Sequence, residues 1–346
     1  MPGICADSPL LLVGAPGSPY SRKMRAVLRY RRIPYRWIVR GSRDDRGIPE
    51  VRVSLIPVLV LPASGGEGPR AMIDSTFQIR RLESEVAERS VLPPDPAVAF
   101  VDALLEDYGD EWVTKMMFHY RWAFAPDVAK AAAILPRWRR IDAPESEMRP
   151  MGEWISERQI ERLRVVGSNV TTAPVIESSY RRLLELLDAH LCTIPFLMGR
   201  RPGASDFGVF GQLTQLVLFD PTPMAIALER APRIHAWCER VEDLSGHEVE
   251  VSDWIARDAF PDTLRALLAE VGRTYAPFLL ANARALERGD PEVECEIDGR
   301  KWRQAPFAYQ GKCLGWLRQG YASLAAKDRS AVDALLSGTG CERLFE

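Results

Sequence analysis

The sequence has few lysines, no closely spaced cysteine pair and no long apolar run. Only six of its 45 basic residues are lysine, which is typical of a GC-rich genome and predicts a bacterial source. The six cysteines are scattered, with no CxxC pair and no zinc-finger spacing, so we expect free thiols in a reducing cytoplasm and no metal site. No apolar run approaches the ~20 residues of a membrane-spanning helix. The first residues lack the basic start and apolar core of a secretory signal.

Charge is nearly balanced in this chain of 346 residues. Lys and Arg total 45 and Asp and Glu total 47, which gives a net charge of -2. A chain without a global positive field has no general attraction for nucleic acid or an anionic membrane, so we expect neither as a partner. The composition, 47% hydrophobic and 27% charged, is that of a globular protein, and the length suggests two or three domains.

Residues 1–92 alternate strand and helix patterns and are predicted to form an α/β domain. Short apolar runs bounded by Gly or Pro indicate buried strands, and apolar positions three or four residues apart indicate helices. In the first helix the basic residues, Lys23 among them, fall mostly off the apolar face. The predicted elements are strands at 10–14, 35–39, 57–61 and 71–73, helices at 20–31 and 75–87, and a turn at 65–69.

A proline-rich linker, Pro93-Pro94-Asp95-Pro96, separates this domain from a helical region. Proline stiffens the backbone and stops helices, so the change of pattern marks a domain boundary. We expect an all-α second domain over 97–250. Its candidate helices lie at 97–123, 153–165, 177–191, 204–219 and 232–243, and a weaker stretch follows at 262–287.

Residues 251–346 change character again and are predicted to form a small α+β extension. Asp298-Gly299 between two alternating runs predicts a hairpin with a type I′ turn, and two short helices follow at 311–326 and 328–336. The extension is rich in aromatic residues, which predicts that it packs on the helical domain or covers the mouth of an active site. These aromatic residues are Trp302, Phe307, Tyr309, Trp316 and Tyr321.

The first helix begins with Ser18-Pro19-Tyr20-Ser21, where thioredoxin-like redox proteins carry CPYC. Dithiol exchange needs a thiolate, so this chemistry is excluded at the site. Further motifs follow in order, namely Ile56-Pro57, Asp74-Ser75, the segment 199–207 and the segment 232–237. With the proline-rich linker and the helical region, they resemble the cytosolic glutathione transferase family over about 8–245.

That resemblance implies a thioredoxin-like first domain, a helical second domain and glutathione as co-substrate, with no metal. It implies that Ser18 is catalytic and that the bond before Pro57 is cis. It also implies a homodimer, a small-molecule electrophile as partner and a role in detoxification. Plain helix capping is the alternative role for Ser18 and for Asp74-Ser75. The implied glutathione-binding residues are Ser18, Tyr20, Ile56, Pro57, Asp74 and Ser75.

In this family the segment corresponding to 106–124 faces the electrophile. The predicted lining of an apolar electrophile pocket is therefore Tyr20, Trp112, Met116, His119 and Tyr120. The alternative is that these side chains belong to the core, where Met and aromatic residues at helical spacing are common. His119 is also a candidate for acid–base catalysis.

We therefore expect a glutathione transferase-like enzyme that activates the glutathione thiolate for attack on an apolar electrophile, by addition, substitution, ether cleavage or isomerisation. Lowering a thiol pKa by about 2 units takes roughly 2.7 kcal/mol, which a helix N-terminus and a Ser hydroxyl can supply together. Two alternatives stay open. One is a non-catalytic binding or assembly protein on the same scaffold, and the other is a redox enzyme that uses a distant thiol, Cys5 or Cys341.

Overall fold

The computed structural model describes residues 8–63 and 68–346. Cys5 and most of the predicted turn at 65–69 lie outside the described residues. Four strands form one sheet, namely β1 (Leu10–Gly14), β2 (Tyr35–Val39), β3 (Val58–Leu61) and β4 (Arg70–Met72). Their order is β2-β1-β3-β4, in which β1 is parallel to β2 and antiparallel to β3, and β3 is antiparallel to β4.

Two helices, α1 (Pro19–Tyr30) and α2 (Ser75–Glu85), complete the first domain. Because side chains alternate along a strand, Leu10 and Leu12 enter the large core that includes these helices, whereas Val13 enters a smaller cluster on the other face. The β-α-β-β-α order confirms the predicted thioredoxin-like domain, and the predicted strand bounds match within one residue.

The second domain is helical, as predicted. The helix predicted over 97–123 is continuous, but it consists of α3 (Pro96–Tyr108), a π-helical turn (Gly109–Val113) and α4 (Thr114–Ala123). The other helices are α5 (Ala125–Ile134), α6 (Glu145–Glu161), α7 (Ala173–Leu191), α8 (Ala204–Leu218), α9 (Pro221–Arg230) and α10 (Pro232–Val241).

The sequence missed α5 and α9. Both carry proline in the first turn, where the lost N–H has no partner in the helix, so proline begins a helix there instead of ending one. The central helix is α8, whose residues are almost all buried. Its N-terminus is held by Asp206, whose carboxylate accepts from the backbone N–H groups of Gly203 and Leu197, both at 2.9 Å.

The extension follows the predicted pattern closely. Asp298 and Gly299 have φ values of 53° and 70°, which a type I′ turn requires at both positions, so the predicted hairpin is confirmed. A second π-helical turn (Val271–Tyr275) joins the first two helices. The elements are α11 (Asp262–Glu270), α12 (Ala276–Arg288), β5 (Val293–Ile297), β6 (Arg300–Gln304), α13 (Ala308–Ser323) and α14 (Ala326–Leu336).

Helix α1 packs directly on α8. The two helices approach so closely that a methyl group on Gly211 would lie 2.6 Å from the Pro19 carbonyl oxygen, which explains the glycine. Lys23, which the sequence pattern places off the apolar face of α1, is nevertheless fully buried, and its ammonium contacts Glu106 of α3. None of the described helices is long and apolar enough to cross a membrane.

Candidate active site

Ser18 caps the N-terminus of α1. Its extended backbone and the turn bond from Ser18 N–H to the Ala15 carbonyl (3.0 Å) place it there, and Ser18 Oγ accepts from Ser21 N–H at 3.3 Å. The side chain is half-buried. The first N–H groups of a helix have no acceptor within the helix. Pro19 has no N–H, so the Tyr20 N–H is the first such group in α1. This corner therefore offers one hydroxyl and one amide to a negatively charged atom.

Ser21, the second hydroxyl of the motif, has a structural role. It is fully buried, and its Oγ accepts from Ala15 N–H at 3.2 Å. Of the two hydroxyls that stand where redox relatives carry sulfur, only that of Ser18 reaches the surface.

Tyr20 joins the first domain to the helical domain. Its hydroxyl donates to the Asp110 carbonyl at 2.8 Å and lies 3.3 Å from Thr114 Oγ1. Burial, reinforced by Glu111 and Asp110, raises the pKa of Tyr20 well above its usual value. The phenol therefore stays protonated, and its proton is already used in the contact between domains.

The peptide bond between Ile56 and Pro57 is cis, which confirms the expectation drawn from the resemblance. Pro57 is buried at the start of β3, and Ile56 before it is half-buried. Gln78 on α2 fixes this segment, since its Nε2 donates to the carbonyls of Pro57 and Met72, both at 2.9 Å. No pattern in the sequence indicated this role of Gln78.

Asp74 and Ser75 form the N-terminus of α2. Asp74 has a φ of 75°, rare for a residue with a side chain, and such backbone strain is concentrated at functional sites. Its Oδ1 accepts from Thr76 N–H at 3.1 Å, and its Oδ2 accepts from the hydroxyl of Tyr309 in the extension. Ser75 is 5% exposed and opens the helix.

A buried cluster of charges lies beside this helix start. Lys23 Nζ lies 2.8 Å from Glu106 Oε1 and 2.5 Å from Asp110 Oδ2, and Arg80 lies 2.8 Å from Glu106 Oε2. Burial opposes the ionisation of Glu106, but the charges of Lys23 and Arg80 outweigh it and lower its pKa to about 2. Burial raises the pKa of Asp110 to about 6 despite Lys23. Glu106 and Asp110 are four residues apart, so a helix places both on one face. This spacing is the feature of the sequence that could have indicated the cluster.

Residues 12–90 match the sequence model described as "Glutathione S-transferase, N-terminal domain". This domain is a glutathione S-transferase N-terminal domain. The match confirms the family that the motifs around Ser18, Pro57 and Asp74 indicated, and those motifs lie inside the matched segment.

Solved structures similar to the chain include three glutathione transferases. A family member from Pseudomonas fluorescens Pf-5, crystallised with two glutathione bound, is 17% identical over 69% of this chain and 90% of that one (TM-score 0.41). A glutathione S-transferase from Rhodospirillum rubrum F11 is 20% identical over 67% and 87% (TM-score 0.41). A Tau class enzyme from mango is 16% identical over 76% and 96% (TM-score 0.39). No curated protein matches the sequence.

The predicted electrophile pocket does not form from the residues of the first π-helical turn and α4. Trp112, Met116, His119 and Tyr120 are all nearly or fully buried. Trp112 Nε1 donates to Ser179 Oγ at 3.0 Å, and Tyr120 stacks on Phe124. These side chains face the interior of the helical domain, so the alternative that they belong to the core describes them correctly.

His119, the candidate for acid–base catalysis, is also buried in the helical domain. Its Nδ1 lies 2.8 Å from Ser168 Oγ, its Nε2 lies 3.7 Å from a Glu177 oxygen, and burial lowers its pKa. None of these partners contacts Ser18 or the start of α1.

Apolar side chains from the turn after α5 lie beside Ser18 instead. A methyl group on Gly17 would lie 2.6 Å from Trp138 Cζ3 and 2.7 Å from Leu135 Cδ2, so both side chains contact this turn. Both are half-buried. Arg121 stabilises the turn at Gly17 by donating to the Gly17 carbonyl at 2.8 Å. The sequence missed Trp138 because the structure brings it close to Ser18 from 120 residues further along the chain.

The redox alternative loses one of its two thiols. Cys341 is fully buried, its Sγ donates to the Leu268 carbonyl at 3.1 Å, and burial raises its pKa to about 12. A thiol in this state is neither accessible nor ionised, so Cys341 does not fit the redox alternative. Within residues 8–63 and 68–346, no group of His, Cys, Asp and Glu side chains is arranged to hold a metal ion.

Proposed function

We propose that this protein is a glutathione transferase-like enzyme in which Ser18 donates a hydrogen bond to the glutathione thiolate. The observation that carries the proposal is the hydrogen bonding of Ser18. Its oxygen already accepts from Ser21 N–H, so the hydroxyl proton is left to donate outward, and no acceptor for it occurs among the described residues. The adjacent Tyr20 N–H adds a second donor at the positive end of α1.

The energies of these two donors are of the size the chemistry needs. A helix N-terminus contributes about 0.3–1 kcal/mol, rising to ~2 kcal/mol when partly buried, and a hydrogen bond to a charged group contributes about 1.5–3 kcal/mol. Together they match the roughly 2.7 kcal/mol that lowers a thiol pKa by about 2 units. The thiol proton leaves to solvent, the sulfur lone pair forms the new bond to carbon, and in a substitution the leaving group departs with its electron pair.

The rest of glutathione fits the same face of the first domain. We place its cysteinyl part against Ile56 and Pro57 and its γ-glutamyl carboxylate at the N-terminus of α2, where Ser75 and the first amides of the helix favour an anion. In this arrangement the Asp74 carboxylate binds the γ-glutamyl ammonium. The hydrogen bond from the Tyr20 hydroxyl to the helical domain stabilises this face of the first domain.

The electrophile would lie against Trp138 and Leu135, the half-buried apolar side chains next to Gly17. This surface replaces the buried residues of the first π-helical turn and α4 that the sequence indicated. We also propose that the protein is a homodimer in the cytoplasm of a bacterium and has a role in detoxification. Light scattering after size-exclusion chromatography tests the homodimer.

A second candidate function is a non-catalytic binding or assembly protein. It is favoured by one observation, the hydrogen bond that the extension makes to Asp74, because this bond uses part of the proposed glutathione site.

Two measurements on the purified full chain separate the candidates. Calorimetry with glutathione and with S-hexylglutathione tests binding, and conjugation of glutathione to 1-chloro-2,4-dinitrobenzene tests turnover. The enzyme proposal expects both binding and turnover above the uncatalysed rate. Binding without turnover supports the second candidate, and the absence of both contradicts the glutathione site itself.

A further inference from the structure

Helix α13 of the extension reaches the start of α2. Tyr309, in its first turn, donates its hydroxyl to Asp74 Oδ2, although 235 residues separate them in the sequence. Two turns later, Trp316 packs edge-on against Phe77 of α2, with ring centroids 5.1 Å apart. The extension therefore forms a wall over the helix start at which the proposed γ-glutamyl subsite lies.

This wall is held in place by hydrogen bonds from two buried side chains, Asn282 and Gln310, on either side of Tyr309. Asn282 on α12 accepts from the Phe307 N–H at 2.8 Å and donates to its carbonyl at 3.0 Å. Gln310 is almost fully buried, and its Nε2 donates to the Glu111 carbonyl at 3.1 Å and to Glu111 Oε2 at 2.9 Å. Because Phe307 and Gln310 are fixed, Tyr309 between them has little freedom to leave Asp74.

The charges around this contact favour a cation. Burial, followed by the hydrogen bond to Asp74, raises the pKa of Tyr309, so the phenol keeps its proton and acts as the donor. The phenol oxygen and the Asp74 oxygens still have free lone pairs. Asp110 lies close by, and the positive groups next to it, Lys23 and Arg80, are already paired with Glu106 and Asp110. An ammonium group would find acceptors here, and the charges of Lys23 and Arg80 are already balanced by the acids that they contact.

We propose that Tyr309 is a positioning residue for the γ-glutamyl ammonium of glutathione, and that the extension thereby makes the site select ligands that carry this group. The proposal rests on the proposed function, since it assumes that glutathione binds at Asp74. Tyr309 fixes the plane of the Asp74 carboxylate, and its own oxygen accepts a second N–H of the ammonium. The γ-glutamyl carboxylate of the proposed complex lies at Ser75 and the first amides of α2, whereas a phosphate or carboxylate placed directly beside Asp74 Oδ2 would be repelled by Asp74 itself.

The test compares two ligands on Tyr309→Phe. One is S-hexylglutathione, and the other is the same molecule without its amino group, S-hexyl-glutaryl-cysteinylglycine. Calorimetry on the full chain is expected to show about tenfold weaker binding of the first ligand, because a hydrogen bond at a charged pair is lost. The second ligand should bind the variant and the wild type equally. Tyr309 is half-buried and the phenyl ring is retained, so the fold should persist, as an unchanged melting temperature would verify.

Tyr321→Phe is the matched control. Tyr321 is also on α13 and also donates to an aspartate, Asp333, but far from α2. Its variant should bind both ligands like the wild type. Unchanged or tighter binding of S-hexylglutathione by Tyr309→Phe, or an equal loss for both ligands, would overturn the role of Tyr309. If the wild type binds neither ligand, the proposed function fails and this inference fails with it.

Discussion

Lys23 and Asp110 form a buried ion pair between the first domain and the helical domain, with Lys23 Nζ 2.5 Å from Asp110 Oδ2. Glu106 lies on the other side of the same ammonium at 2.8 Å. Both acids hold the pKa of Lys23 above its usual value in spite of burial. The pair lies beneath Thr76 in the first turn of α2, so it connects the start of α1, the start of α2 and the long helix α3.

Removing this lysine should strongly destabilise the protein. Lys23→Met leaves Glu106 and Asp110 buried without their main counter-charge, and breaking such a pair costs about 3–5 kcal/mol. The free energy of unfolding in urea measures the loss. Arg36→Met, an exposed position on β2, is the control and should change it little. The triple variant Lys23→Met, Glu106→Gln, Asp110→Asn should recover part of the stability, and a loss below 1 kcal/mol for the single variant would contradict a structural role.

Ser18→Ala should lower kcat/KM for conjugation by about ten- to hundredfold, because the thiolate loses a hydrogen bond from a neutral donor to a charged acceptor. The same loss should raise the pKa of bound glutathione toward its free value of about 8.5, so the rise of activity with pH should shift to higher pH. Rates measured between pH 5.5 and pH 9 at saturating glutathione test this.

Ser54→Ala, exposed in the loop before Ile56, is the control for this substitution and should keep both rate and pH profile. Full activity of Ser18→Ala with an unshifted profile would leave Ser18 with a capping role only.

Lys115 predicts a pH dependence of stability. It is almost fully buried, donates to the Val166 carbonyl at 3.0 Å and to Gln304 Oε1 at 3.2 Å, and burial lowers its pKa to about 7. Between that value and the unfolded pKa of about 10.4, the unfolded chain holds a proton that the folded chain lacks. Unfolding then takes up a proton, so this residue makes stability rise with pH by at most about 1.4 kcal/mol per unit.

The measurement is the difference in unfolding free energy between wild type and Lys115→Met from pH 6 to pH 10. Wild type should gain stability relative to the variant as pH rises above 7. Comparing the two proteins removes most of the contribution of buried acids such as Glu111, whose pKa burial raises to about 8. Lys312→Met, at an exposed position, should give a flat difference. A flat difference for Lys115→Met would show that the ammonium is stabilised in the fold.

Trp138→Ala should weaken the electrophile site without weakening the glutathione site. Its ring covers the turn at Gly17, whereas the proposed glutathione contacts lie on Ile56, Asp74 and Ser75. We expect KM for a bulky aromatic electrophile to rise several-fold while Kd for glutathione is unchanged. Trp154→Ala, on the exposed side of α6, is the control. If Kd for glutathione rises as much as KM, then Trp138 supports the fold of the turn and does not form the electrophile surface.

Local chemistry determined the parts of this protein that the sequence predicted well. Gly and Pro bound the short apolar run of β1, and Asp298-Gly299 accepts the positive φ values of its turn, so neither depends on distant residues. The helix caps Ser18 and Asp74 were visible for the same reason, since a cap is made within three residues. The order of these motifs along the chain then indicated the family.

Only the tertiary structure decided which side chains meet and which are buried. A helical pattern gives the spacing of Trp112 and His119 but not what covers them, so the same residues fit either a pocket or a core until α7 and the hairpin pack on them. The pattern of α1 separates Lys23 from the apolar face, but an isolated helix cannot show Glu106 and Asp110, which bury its ammonium. The bond between Tyr309 and Asp74 joins residues 235 positions apart, and the pairing of such distant groups is fixed by the packing of whole elements, which no local pattern encodes.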